Sequence, residues 1–156
     1  MTTNAKLIDV LNDLIQINND RIAGYDKAIV SVGSLDMDLK TTFRKLADQS
    51  EGYRIALTDS VLKLGGEAAE GTTGLGKIYR AWMDVKNTFS GNDRQSVLDS
   101  CEAGEDAALK AYREALAADA DMSTATRQLL LSQQAELKAA HDNIKQYRDM
   151  DEPVHS

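Results

Sequence analysis

The sequence predicts an all-α protein, a four-helix bundle, on three observations. Apolar residues recur at helical spacing through four long stretches. Glycine-containing or short polar segments separate those stretches. Proline occurs once in 156 residues, at Pro153, so nothing interrupts a helix before the tail. The length suits one domain with a single sizeable core, placed at residues 1–150, with a disordered tail expected over 151–156.

The first helix is read over residues 4–32. At about 100° per residue, Leu7, Val10, Leu11, Leu14, Ile17, Tyr25, Ala28 and Val32 fall on one stripe. Gly33 is the expected stop, and Ser34 or Asp36 the cap of the next start. The second stripe runs Leu39, Phe43, Leu46, Tyr53, Leu57, Val61, Leu64, and Gly65 and Gly66 supply a left-handed cap. A loop, "EAAEGTTGLG", then leads into a short amphipathic helix with Ile78, Tyr79, Trp82, Val85 and Phe89. Gly91 stops it. Asn92 or Asp93 caps helix three, with Gln95 in capping-box spacing from Asn92, and the helix runs to about Ala118 through Leu98, Cys101, Ala108, Leu109, Tyr112 and Leu116. Ser123 caps helix four, which carries Leu130, Leu137, Ile144 and Tyr147.

Four such stripes bury one another in a bundle. Short turns make helices one and two, and three and four, antiparallel pairs. More than twenty residues separate helices two and three, enough to travel the bundle's length and set helix three parallel to helix two. One long crossover of this kind is the ferritin-like arrangement.

The segments "IYRAWMDVKNTFSGND" and "CEAGEDAALKAYREAL", with "LNDLI" near the start and "QQAELKAAHDNIKQYRD" near the end, resemble the bacterial ferritin-like family catalogued as domain of unknown function 2383. The likeness spans about residues 7 to 149 and is strongest from Trp82 to Leu116. It implies a four-helix bundle in a superfamily that contains di-iron proteins, and it implies no particular activity.

Polar residues inside the stripes are the candidates for function. Glu105 lies mid-face on helix three, with Glu102 about 60° away at the edge. Gln134 and His141 are placed on helix four's inner stripe. Asn18 and Arg21 interrupt helix one, and Ser50 interrupts helix two. A buried carboxylate needs partners or it takes up a proton, so Asn18, Ser50, Glu105, Gln134 and His141 are expected to form a buried polar cluster that fixes helix register.

A dinuclear carboxylate centre needs a Glu from each of two helices and Glu-x-x-His from each of the other two. The chain has two histidines, His141 and His155, and the latter lies in the tail. Lys138 stands three residues before His141, and Arg54 three after Glu51. Helix one has no Glu, and Asp20 and Asp26 are read as lying off its inner stripe. No metal or other cofactor is therefore expected. The alternative is a divergent metal-binding or redox bundle with a divalent ion on Glu105 and His141, helped by Gln134 or Glu102.

Other candidates read as structural. Cys101 sits on an apolar stripe as an inert thiol and, being the sole cysteine, forms no internal disulfide. Tyr79, Trp82 and Phe89 form an amphipathic face expected to pack on the bundle, with a partner surface as the competing reading. "GTTGLGK" lacks phosphate-loop spacing and a preceding strand. A formal charge of -7 without a basic patch argues against nucleic acid, and the absence of a leader or membrane-length apolar run points to a cytoplasmic chain.

The expected function is a non-enzymatic structural or protein-interaction module with an unknown protein partner, able to pair with itself through outer helix faces. A bundle holding an apolar ligand is a third class, decided by whether a cavity exists.

Overall fold

The computed structural model describes residues 2–32, 36–74, 79–80, 82, 94–118 and 120–151. Four long helices carry the fold: α1 (Thr2–Ser31), α2 (Met37–Lys63), α3 (Arg94–Ala117) and α4 (Thr124–Asp151). Leu7, Leu11, Leu14, Ile17, Tyr25, Ala28 and Val32 line α1's buried face at the spacing read from the sequence, and Leu39, Phe43, Leu46, Tyr53, Leu57 and Val61 do the same on α2. Val10 and Leu64 are only half-buried against the core.

Local chemistry ends the helices as their residues dictate. Gly65 takes a φ of 85°, which costs glycine no Cβ clash. Its N–H donates to the Leu62 carbonyl at 3.0 Å, and the Gly66 N–H to the Val61 carbonyl at 3.0 Å, the two bonds of a Schellman cap. Ser123 Oγ accepts from the Thr126 N–H at 3.1 Å at the head of α4. Asp36 occupies the N-cap position of α2, but its carboxylate makes no cap bond and pairs with Arg94 Nη1 at 2.5 Å. Gly33, Ser34, Ile78, Val85, Phe89, Gly91, Asn92, Asp93 and residues 152–156 lie outside the described residues; Asp151, placed in the tail by sequence, is the last residue of α4.

The crossover sets the topology, and α1 holds it. Asn12 Nδ2 donates to the Glu67 carbonyl at 3.0 Å while its Oδ1 accepts from the Ala69 N–H at 2.8 Å. Further along, Asn19 Nδ2 donates to the Gly71 carbonyl at 2.8 Å, and Asp20 accepts from the Thr73 N–H at 2.9 Å and hydroxyl at 2.7 Å. The strand of chain thus climbs α1 from its N-terminal end toward its C-terminal end. Arg94, opening α3, reaches Asp36 and Asp38 at the opening of α2. Helices α2 and α3 therefore run parallel, as the crossover length predicts.

Asp20 lies off α1's inner stripe, yet it is fully buried, because the crossover covers that face of the helix. Trp82 takes the first of its two readings and packs on the bundle. Its ring is fully buried against Tyr25, centroids 4.9 Å apart, in a notch between Gly24 and Gly104. A Cβ at either glycine would overlap the indole, so both helices give up a side chain to admit it. A partner surface built on Trp82 is excluded by that burial. Tyr79 is half-buried.

The buried apolar side chains form two clusters. One gathers Leu7, Leu11, Leu14, Leu57, Leu109, Leu130 and their neighbours; the other gathers Tyr25, Phe43, Trp82, Leu98, Cys101 and Ile144. A polar layer lies between them.

Candidate functional site: a polar layer at mid-bundle

The layer is assembled from the inner faces of all four helices. On α1, Asn18, Arg21 and Tyr25 follow at i, i+3 and i+7, so their side chains stack on one face. Ser50 arrives from α2, Glu105 and Tyr112 from α3, and Gln133 from α4, all buried.

Arg21 is the hub. Its Nε donates to Glu105 Oε1 at 3.0 Å and its Nη2 to Glu105 Oε2 at 2.8 Å, a two-pronged pair with both side chains wholly inaccessible. Its Nη1 donates to Ser50 Oγ at 2.9 Å and to the Leu46 carbonyl at 3.3 Å. The Tyr25 hydroxyl donates to Glu105 Oε2. From Ser50 the chain of bonds continues: Ser50 Oγ donates to Asn18 Oδ1 at 2.8 Å, Asn18 Nδ2 to Tyr112 Oη at 2.9 Å and the Leu14 carbonyl at 2.9 Å, and Tyr112 to Gln133 Oε1 at 2.6 Å. One connected network thereby touches all four helices.

Its electrostatics follow from burial. Burial is the largest single influence on Arg21 and opposes its charge, but Glu105 and the nearby tyrosines together outweigh it, so the guanidinium is held protonated. Burial first, then the Glu105 charge, pushes the Tyr25 hydroxyl well up and keeps it a donor. The same two causes push the Cys101 thiol up, leaving it unreactive.

The structure brings Asn18, Ser50 and Glu105 into one network with Arg21, Tyr25, Tyr112 and Gln133. Gln134 is a correction. It is half-buried, and Gln133, one position earlier, points inward with Leu130, Leu137, Ala140 and Ile144. His141 is a correction of the same phase error. It sits at the α3–α4 edge, with Nε2 2.8 Å from Asp106 Oδ1 and 3.6 Å from Glu102 Oε2, and Nδ1 3.1 Å from Asp142 Oδ1. Glu102 is held there by Arg148. Glu105 and His141 share no partner.

A dinuclear centre, which the ferritin-like class implies, does not fit these residues. Among the described residues the mid-bundle layer contains a single carboxylate, Glu105, and the cation that faces it is part of the chain. Among the described residues no three His, Cys, Asp or Glu side chains are grouped to hold a metal ion.

Arg21 is the residue whose role the sequence left open. It stood on the inner stripe beside Asn18, and a permanent cation there is the natural partner of an inward Glu 84 residues away.

Comparison with known proteins agrees with this architecture. The chain superposes on a Mycobacterium smegmatis Dps1 mutant with a TM-score of 0.77 at 14% identity, covering 94% of this chain and 97% of that one. At that identity the likeness shows the fold alone, a ferritin-like four-helix bundle. No curated protein matches the sequence. Residues 6–118 match the family described as domain of unknown function (DUF2383), and the chain belongs to that family.

Proposed function

We propose that this chain is a non-enzymatic, cytoplasmic ferritin-like bundle that acts as a structural or protein-interaction module. The observation carrying this reading is the Arg21–Glu105 pair. It puts a permanent cation, held by four hydrogen bonds, where metal ligands gather in carboxylate bundles. The layer's groups are spent on one another, so none is poised as a nucleophile, acid or base toward a substrate.

With Trp82 buried, an interaction surface falls to the outer helix faces. Ile55 and Leu62, seven residues apart on α2, stand 58% and 59% exposed on one side of that helix. Pairing with a second copy or another protein through that side is the form of interaction this reading favours.

The test is an anaerobic titration of chelator-treated protein with Fe(II), Mn(II) and Zn(II), with elemental analysis of the purified material. The reading predicts no stoichiometric uptake. Stoichiometric binding lost in both Glu105→Ala and His141→Ala would overturn it in favour of a metal-binding bundle.

A further inference from the structure

Between α1 and α3, away from the polar layer, the surface carries a cleft of about 620 Å³. That volume lies in the range of small-molecule sites. The cleft exists because α3 presents alanines where a bundle helix would carry larger side chains. Ala107, Ala111 and Ala118 of α3 line it with Val10 of α1 and Thr73 of the crossover, all half-buried, above the buried Leu14 and Ile17. Its walls are thus mainly apolar.

The mouth has a definite charge. Asp13 of α1 and Glu114 of α3 line it, against one ammonium, that of Lys110. Asp13 has no cationic partner among the described residues, and partial burial followed by the neighbouring Asp9 charge raises its pKa. A carboxylate in that situation is stabilised by an incoming cation. An anionic head would meet Asp13 and Glu114 together.

We infer that the α1–α3 cleft is a binding site for a small amphiphile with an apolar body and a cationic, amine-type head, the body lying on the half-buried Val10, Ala107, Ala111 and Ala118 and the head at Asp13 and Glu114. The site is separate from the mid-bundle layer and does not depend on the function proposed above.

Calorimetric titration of the full chain with decyltrimethylammonium and with decanoate, both below micelle formation, tests it. The cation binds at least about tenfold more tightly than the anion of equal chain length. Ala111→Leu, which narrows the cleft, weakens binding of both probes, with helicity and melting temperature confirming that the variant folds. The double substitution Asp13→Asn with Glu114→Gln touches only exposed carboxylates, so it tests the idea even if the narrowed variant does not fold. It removes the preference for the cation and leaves apolar binding in place. Equal binding of both probes, binding of neither, or a concentration-dependent dimer that Ala111→Leu disrupts would each overturn the assignment.

Discussion

Two of the places where this molecule sets basic side chains against carboxylates differ in almost everything except chemistry. At mid-bundle Arg21 grips Glu105 with both side chains fully shielded from water. At the α3–α4 edge Arg148 and His141 meet Glu102 and Asp106 with side-chain exposures of 23%, 15%, 14% and 63%. At the edge, water can replace either partner, so the pairs add little. In the middle nothing replaces a lost partner, and a stranded charge or orphaned hydroxyl bears the full desolvation cost. Position in the bundle decides what an ion pair is worth.

The largest consequence falls on the buried pair. Arg21→Met leaves Glu105 without its cation and should cost about 3–5 kcal/mol in denaturant unfolding, or force Glu105 to fold protonated. Next comes the far end of the network. Tyr112→Phe removes the donor to Gln133 Oε1 and should cost about 1–3 kcal/mol, read from the shift in urea midpoint at constant slope.

Asp20 tests the boundary between the two regimes, being buried but paired, among the described residues, with Thr73 alone. Burial raises its pKa above the ordinary value of 3.8, and the Thr73 bonds only partly offset this. The folded state then keeps the proton longer than the unfolded chain does. Its contribution to stability is complete below 3.8 and is lost as pH rises through the raised value. Stability measured across acid pH should therefore fall for the wild type relative to Asp20→Asn, which cannot titrate; the opposite slope would contradict the burial argument. The smallest effect is at the edge. His141→Ala should change stability by less than about 1 kcal/mol in thermal melts near neutral pH.

How much of this the sequence revealed depended on the kind of information each feature required. The four helices, the Gly65 and Gly66 stop and the parallel α2–α3 arrangement follow from periodicity, turn chemistry and connection length, all local properties. Glu105's inward aim was legible for the same reason, since it sits amid Leu98, Cys101, Leu109 and Tyr112 on one wheel. Gln134 and His141 were misplaced because α4 buries positions 130, 133, 137, 140 and 144, alternating steps of three and four, and a strict seven-residue step between two polar residues fits the neighbouring stripe equally well. The burial of Asp20 was hidden more deeply. It depends on where the crossover lies, and no helical period encodes which loop covers which face.

The central claim is that Arg21 serves as the bundle's own cation for Glu105. A double-mutant cycle with Arg21→Met, Glu105→Leu and the pair together tests it most directly. The account predicts that each single change costs about 3–5 kcal/mol and that the double variant loses far less than their sum, because no charge is left stranded. Single costs below about 1 kcal/mol that simply add would contradict it.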